Sequence, residues 1–367
     1  MARRTIEMER DALPEADRLQ PFPHPRQTPT VIGHSSQRRE LADAIDADRP
    51  HHAWLITGPV GVGKATLSYA AARYLLATSH DRRADAPEPL VIDPDSKTAR
   101  QVEALSHPGL LLIRRVFDPK DKRFRTVINV DEVRRLRSFL SHTAGGGASR
   151  AVIVDAADDL NISAANALLK SLEEPPPRTL FFLVCNRPGS LLPTIRSRCR
   201  VLALSPLEAD ATLSAARAAA AAADPPVARD VMSALEALGA SADGCPGRLL
   251  MLAQGGGQDV MAWVDRLFSG LPRVDWTQVH TLADSFSKTD QTARFNLFAD
   301  MLLDQLSTAV QAKARAGAWP PAVLASLAEL WETTARAKAQ VDRLNLDRKS
   351  FVLDTVARLS TAWPSAR

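Results

Sequence analysis

The stretch Gly58-Pro59-Val60-Gly61-Val62-Gly63-Lys64-Ala65-Thr66 sets three glycines and a lysine at the spacing of a loop that wraps a phosphate. Successive glycines let backbone N–H groups curl around an anion. A helix N-terminus just beyond them favours negative charge, and Lys64 adds a mobile cation. Nucleotide phosphate is the chemistry this implies, with Gly58, Gly61, Gly63, Lys64 and Thr66 as candidate contacts. One position departs from the pattern. The residue after the lysine ordinarily offers a hydroxyl to Mg²⁺, and here it is Ala65. Thr66 stands one step further, about 100° round a helix, and does not simply replace it. Phosphate binding is expected, with Mg²⁺ binding and hydrolysis weakened.

The surrounding elements must deliver these groups. Ala53-Trp54-Leu55-Ile56-Thr57 reads as a buried strand, and Leu67, Ala70, Ala71, Tyr74 and Leu75 recur at helical spacing. Val31-Ile32-Gly33-His34 opens a helix carrying Leu41 and Ile45, and Gly109–Ile113 reads as a strand. Asp118 to Arg125 is charged and turn-like. A helix then begins near Val130, with Val133, Leu136 and Leu140 inward and Arg134, Arg135 and Arg137 outward. On charge pattern alone that arginine cluster is a solvated helix face. Ala151–Val154 is a short buried strand ending in Asp155. A carboxylate at the end of such a strand can hold a metal beside the phosphate loop; it can also be a helix cap or a loop carboxylate. The glutamate that often follows it, and polarises the attacking water, is replaced by Ala156. Asn161 can cap a helix built on Ala165, Leu168, Leu169 and Leu172, stopped by Pro175-Pro176-Pro177. Leu180–Val184 is a further strand that presents Asn186. Its amide could orient a water or touch a γ-phosphate, or simply serve a turn. Strands alternating with helices predict an α/β domain, a mostly parallel sheet with helices on both faces.

A chain of 367 residues implies two or three domains, and 45% hydrophobic with 24% charged residues is ordinary for a globular protein. No apolar run is long enough to span a bilayer, and the N-terminus lacks a signal-peptide core. Cys185, Cys199 and Cys245 are widely spaced and form no metal-ligand pattern, so a reduced, cytoplasmic, zinc-free protein is expected. A net charge of +4 is compatible with nucleic acid nearby without requiring it. Residues 1–28, dotted with proline, read as a loosely ordered lead-in, and 29–205 as the nucleotide-binding domain. Residues 78–100 form a loop or insertion, and Gly145-Gly146-Gly147 a flexible break. Residues 206–254 read as a small helical domain, with a helix at Ala215–Ala223 ended by Pro225-Pro226. Gly244-Cys245-Pro246-Gly247-Arg248 introduces its last helix, Leu249–Ala253. After Gly255-Gly256-Gly257, residues 255–367 are helical again. One stripe there is Phe295, Phe298, Leu302, Leu306 and Ala309; another is Leu324, Leu327, Ala328, Trp331 and Ala335.

With these pieces assembled, the chain resembles the AAA+ clamp-loader subunits of bacterial DNA polymerase III from Val31 to Arg358. The resemblance is carried by Asp155 to Pro177, with its run Asn166-Ala167-Leu168-Leu169-Lys170-Ser171-Leu172-Glu173-Glu174, and by Ser197-Arg198-Cys199. Asn345-Leu346-Asp347-Arg348-Lys349 is similar to the C-terminal domain of the delta-prime branch. The resemblance implies an AAA+ module, a helical lid and a helical collar that holds subunits in a ring. Its expected partners are gamma/tau and delta subunits, with the sliding clamp and primer-template DNA met through the complex, and no membrane. It implies ATP or ADP at the loop and an arginine finger at Arg198 that reaches ATP on a neighbouring subunit. It also implies sensor positions at Asn186 and Arg248, and DNA phosphates met by Arg134, Arg135 and Arg137. The zinc-binding cysteines of many such modules are absent, since residues 78–130 contain none.

Two functional readings follow from that resemblance. In one the chain is a stator-like ring component whose own ATPase is weak or absent and which carries no polymerase activity. In the other it is a catalytically active gamma/tau-type ATPase, which needs Thr66 or water in place of the missing hydroxyl. A small-molecule kinase would leave Ser197-Arg198-Cys199 and the helical tail unexplained.

Overall fold

A computed structural model describes residues 14–47, 50–82, 88–120, 123–141, 149–224, 226–227, 229–254, 257–287, 291–344 and 346–364. Residues 1–13, the Gly145-Gly146-Gly147 break, Pro225, Gly255, Gly256 and Asn345 lie outside them. In chain order the first part contains α1 (Ser35–Asp46), β1 (Ala53–Thr57), α2 (Lys64–Leu76), α3 (Lys97–Glu103) and β2 (Leu110–Arg114). It continues with β3 (Phe117–Asp118), β4 (Arg123–Phe124), α4 (Val130–Ser141), β5 (Arg150–Asp155) and α5 (Ile162–Glu173). It ends with β6 (Thr179–Cys185), α6 (Pro193–Arg196) and β7 (Arg200–Ala203). Five strands form one parallel sheet in the order β2-β5-β6-β1-β7. Inner strands that are covered on both faces read as unbroken apolar runs, and every residue of β1 and β6 is buried. Alternate residues then serve alternate faces. Trp54, Ile56, Ile153 and Phe182 pack with Leu41 and Ile45 of α1 and Leu67, Ala70 and Leu75 of α2. Leu55, Val152, Val154, Phe181 and Leu183 pack with Val133 and Leu136 of α4 and Leu168 and Leu172 of α5.

Two stretches differ from the sequence expectation. The charged turn at 118–125 is a small antiparallel hairpin of β3 and β4, fixed by an edge-on contact of Phe117 and Phe124 with ring centroids 5.3 Å apart. The loop expected at 78–100 ends in α3, whose cap is Ser96 accepting the Ala99 N–H at 3.2 Å.

Beyond the sheet come α7 (Ala209–Ala221), α8 (Arg229–Leu238) and α9 (Pro246–Ala253). The chain divides into two compact units at Leu250/Met251, within α9. The second unit contains α10 (Gly257–Gly270), α11 (Trp276–Ser285), α12 (Thr292–Arg315), α13 (Pro321–Leu344) and α14 (Arg348–Ala362). Its core is aromatic: Phe286 meets Phe295 and Phe298, and Phe295 meets Phe351 edge-on, with centroids 5.4–5.7 Å apart. The α12 stripe is buried as expected from Phe295 to Leu306. The α13 stripe is rotated: Leu327, Leu330, Thr334 and Val341 are buried, while Ala328 and Trp331 face out. Trp331 keeps its indole N–H on the Leu303 carbonyl at 3.1 Å, which lets the ring lie at the surface with its donor satisfied. Among the described residues no helix is long and apolar enough to cross a membrane.

Residues 14–28, expected as a loose lead-in, are packed onto the first unit. Phe22 and His24 are fully buried. The reason lies about ninety residues away, at the end of β2. Arg114 donates to Glu15 at 2.6 Å and also pairs with Asp17, while Arg26 donates to the same Glu15 at 2.8 Å. His24 Nδ1 accepts the Arg26 N–H at 3.1 Å, so the ring proton sits on Nε2, facing Asp17 at 3.0 Å. Burial holds His24 below its ordinary value of 6.5, against the upward pull of Asp17. A proton added at Nδ1 would confront the Arg26 N–H. The native state therefore refuses a proton that the unfolded chain accepts below pH 6.5, and the docking of this segment weakens as pH falls through that region. Hydrogen exchange at the Phe22 and Gln27 amides, corrected for intrinsic pH dependence, is expected to lose protection between pH 8 and 5.5. In His24→Gln the loss is expected to be smaller. Equal profiles for the two proteins would remove His24 as the cause.

Candidate functional site

β1 is buried along its whole length and stops at Gly58, so the glycine loop leaves the sheet at its carboxyl edge and runs straight into α2. Gly61 and Gly63 adopt φ of +81° and +110°, values that a side chain resists, and Gly63 is the residue on which α2 begins. This curls the loop around the helix N-terminus, the geometry of a phosphate cradle. Lys64 is buried, and its Nζ donates to the carbonyls of Gly58 at 2.8 Å and Pro59 at 2.6 Å. Burial lowers its pKa, while Asp155 and Asp158 pull it back up. His34 closes the side of the loop. It caps α1 in a left-handed conformation, and its Nε2–H donates to the Val62 carbonyl at 3.0 Å. Sequence reasoning took His34 only as part of a helix start.

Asp155 ends β5, and burial, with Asp17 adding to it and Lys64 opposing, pushes its carboxyl up to about 7. Asp158, overlooked in the sequence, lies in the turn just beyond and is 2% exposed. Its carboxylate accepts the Asn186 backbone N–H at 2.9 Å and contacts Arg187 Nε at 3.4 Å. It thus ties the end of β6 to the end of β5. Its only sequence signal was a second acid three positions after Asp155. Asn161 caps α5 as expected, accepting the Ala164 N–H at 2.8 Å.

The structure brings Arg248 to the loop. A methyl placed on Gly61 would stand 2.7 Å from the Arg248 backbone nitrogen, and the Arg248 guanidinium pairs with Asp243 at 3.1 Å. Thr66 lies half-buried one position beyond Ala65. A phosphate therefore fits the backbone cradle and Lys64, whereas Mg²⁺ finds the Asp155 carboxylate but no hydroxyl at position 65. Arg198 is not at this end. It precedes β7, whose Arg200 aligns with Trp54 near the start of β1, so it sits at the amino edge of the sheet. There it pairs with Glu173 at 2.6 Å and donates to the Thr194 carbonyl at 2.9 Å. Arg134 and Arg135 are exposed on α4, each paired within the helix, with Asp131 at 2.8 Å and Glu132 at 2.7 Å; Arg137 is exposed as well. The three cysteines are buried and none of them is in a disulfide.

A family model described as DNA polymerase III, delta subunit, matches residues 33–208. The DNA polymerase III subunit delta-prime of Escherichia coli strain K12 is 31% identical over 271 residues, 73% of each chain. The subunit of the same name from Pseudomonas aeruginosa is 37% identical over 148 residues, 40% of this chain and 41% of its own. The gamma/tau subunit of DNA polymerase III from Mycobacterium tuberculosis is 30% identical over 178 residues, 46% of this chain and 27% of its own.

The raised pKa of Asp155 has a thermodynamic sign. Between its ordinary value of 3.8 and about 7 the native state holds a proton that the unfolded chain has released, so stability falls as pH rises through that window. Asp155→Asn has no charge to desolvate. It is expected to exceed the natural chain in stability by about 1–3 kcal/mol at pH 8, less than the full linkage value because the residue keeps some solvent contact. The advantage should vanish below pH 4. Urea unfolding at a series of pH values measures this, and parallel stability curves for the two proteins would refute it.

Proposed function

The chain belongs to the DNA polymerase III delta-prime family, and on that premise we propose that it is a stator-like component of the clamp-loader ring. It works in the cytoplasm with gamma/tau and delta subunits to help place the sliding clamp on primed DNA. In this reading it lends Arg198 to ATP held by a neighbouring subunit. The observation that supports it is the polarity of the sheet. The glycine loop leaves the carboxyl end of β1, while Arg198 enters the amino end of β7 beside it. The four residues of β7 span about 13 Å at 3.3 Å per residue, so Arg198 and Lys64 belong to opposite edges. An arginine placed there, half-buried and paired with Glu173, cannot serve its own loop and is placed to serve another.

The chain's own site supports binding over turnover. Gly58 to Lys64 would hold the phosphates of ATP or ADP, and Arg248 would approach the terminal one. A nucleotide bound there supplies negative charge that Lys64 and the start of α2 stabilise. Ala65 and Ala156 remove the groups that would bring Mg²⁺ and a polarised water to it. The gamma/tau-type reading has no comparable support, because it needs both functions from other residues. Arg134, Arg135 and Arg137 remain candidates for DNA phosphates on the exposed face of α4.

Arg198→Ala is expected to leave folding and nucleotide binding of the isolated chain unchanged. In the reconstituted loader it is expected to slow ATP hydrolysis by about 10³-fold at the site it serves, the scale of a finger supplied in trans. A reconstituted loader with undiminished hydrolysis would take Arg198 out of the reaction. Ala65→Thr combined with Ala156→Glu is expected to raise hydrolysis by the isolated chain at least about tenfold, since each restores a group that acts directly on the reacting phosphate. If the natural chain alone already turns over ATP at the rate of a motor subunit, the stator reading fails.

A further inference from the structure

Arg198 is folded back onto its own chain. Its Nη1 donates to the Thr194 carbonyl, four residues earlier, at 2.9 Å and to the Ser197 hydroxyl at 3.5 Å. Its Nη2 lies 2.6 Å from a carboxylate oxygen of Glu173, the one acid that pairs with it among the described residues. Both ends of this ion pair are mounted on the core. Leu172, just before Glu173, is 1% exposed, and Ile195 and Cys199, which bracket Arg198, are buried in the same cluster. Glu173 is the last residue of α5, and Pro175-Pro176-Pro177 stops the helix there, so its backbone has one position relative to the sheet. The carbonyl end of α5 adds partial negative charge at the same point. Glu174 beside it is also exposed, but makes no ion pair or side-chain hydrogen bond among the described residues.

We propose that Glu173 is a counter-ion that holds Arg198 back, a brake on the service of this arginine to ATP on a neighbouring subunit. The inference rests on reading Arg198 as an arginine finger. A guanidinium stabilises the charge of a γ-phosphate by coming to it, and here it is already turned toward a carboxylate of its own chain. Carboxylate and phosphate compete for one cation, and they repel each other if both stay beside it. The arginine therefore has two positions, retracted onto Glu173 or extended to the phosphate. Only the fraction of subunits with Arg198 released can assist hydrolysis. The ties to Thr194 and Ser197 are neutral and local, and Glu173 supplies the charge that sets the balance. A pair this exposed is weak enough for a phosphate to break, yet it favours retraction when no phosphate is presented. Glu173 is thus a positioning residue, which acts on the reaction through Arg198.

The test uses the full chain reconstituted with its partner subunits, with ATP hydrolysis followed over a range of ATP concentrations. Glu173→Gln keeps the size of the side chain and removes its charge. It is expected to raise kcat about two- to fivefold, the factor that matches the contribution of a half-exposed ion pair. The gain should appear in kcat rather than KM, because the finger acts on charge that develops in the transition state. Glu173→Asp keeps the charge and should gain less. Glu174→Gln removes the neighbouring charge and should leave the rate unchanged. In an Arg198→Ala background Glu173→Gln should add nothing. If Arg198→Ala slows the loader but Glu173→Gln leaves it unchanged or slows it too, the brake is overturned and the finger reading stands. Equal acceleration by Glu174→Gln would overturn the brake as well, since the effect would then belong to surface charge in general. If Arg198→Ala is itself without effect, both readings fall together.

Discussion

β1 hydrogen-bonds in parallel to β6 on one side and to β7 on the other, and all five strands of the sheet run the same way. Their carboxyl ends therefore gather at one edge and their amino ends at the other. The glycine loop, Asp155 and Asn186 all follow strand ends at the first edge. Arg198 precedes a strand start at the second, and Glu173, at the end of a helix running back from the first edge, is there to meet it. No local rearrangement can exchange these positions, because β1 and β6 are buried over their whole length and a register slip would turn apolar side chains to the wrong face. The separation of the glycine loop and Arg198 is a property of the sheet.

At the carboxyl edge, charge is managed under burial. Lys64 is held by two loop carbonyls and by the field of Asp155 and Asp158, whereas Asp155 itself is pushed toward neutrality by its surroundings. Asp158 does structural work that a purely catalytic reading would overlook. It bonds the amide of Asn186 and touches Arg187, locking the ends of β5 and β6 together. The segment 14–28 extends this network outward, since Asp17 adds to the upward pressure on Asp155 and is itself paired with Arg114. With alanine at 65 and 156, the charged groups at this edge still form an electrostatic frame that the fold uses.

What could be read from the sequence followed a simple line. Ala53–Thr57, Ala151–Val154 and Leu180–Val184 read as short apolar runs, and all three lie within buried strands, Ala53–Thr57, Arg150–Asp155 and Thr179–Cys185. The strand expected at Gly109–Ile113 lies one residue on, at Leu110–Arg114, where it delivers Arg114. The features that were missed depend on distant partners. The order of residues 14–28 comes from Arg114, and nothing among their prolines and charges announces it. β3 and β4 are two residues each, too short for any periodicity. α13 is rich in alanine, and spacing put Ala328 and Trp331 on the inner face with Leu327, whereas the structure turns Leu330 and Thr334 inward instead. The Asp347-Arg348-Lys349 run that suggested a family feature has a plain structural use. Asp347 caps α14, Arg348 reaches Thr292 at 2.6 Å, and Lys349 pairs with Asp284 at 2.6 Å.

The residues of the glycine loop can be sorted by what else they do. A methyl on Gly58 would meet the Leu204 carbonyl at 2.5 Å, and one on Gly61 would meet the start of α9 at 2.7 Å, so both glycines are demanded by packing whether or not a nucleotide is held. Lys64 fills its pocket with two hydrogen bonds to the loop. The alanines at 65 and 156 offer no group to a metal or a water, although Ala156 is itself buried and its carbonyl accepts the Asp159 N–H at 3.0 Å. The shape of the loop is therefore held by packing, because the loop is also the surface on which the start of α9 rests. An intact glycine loop in this chain consequently testifies to the close approach of two backbones at least as much as to hydrolysis.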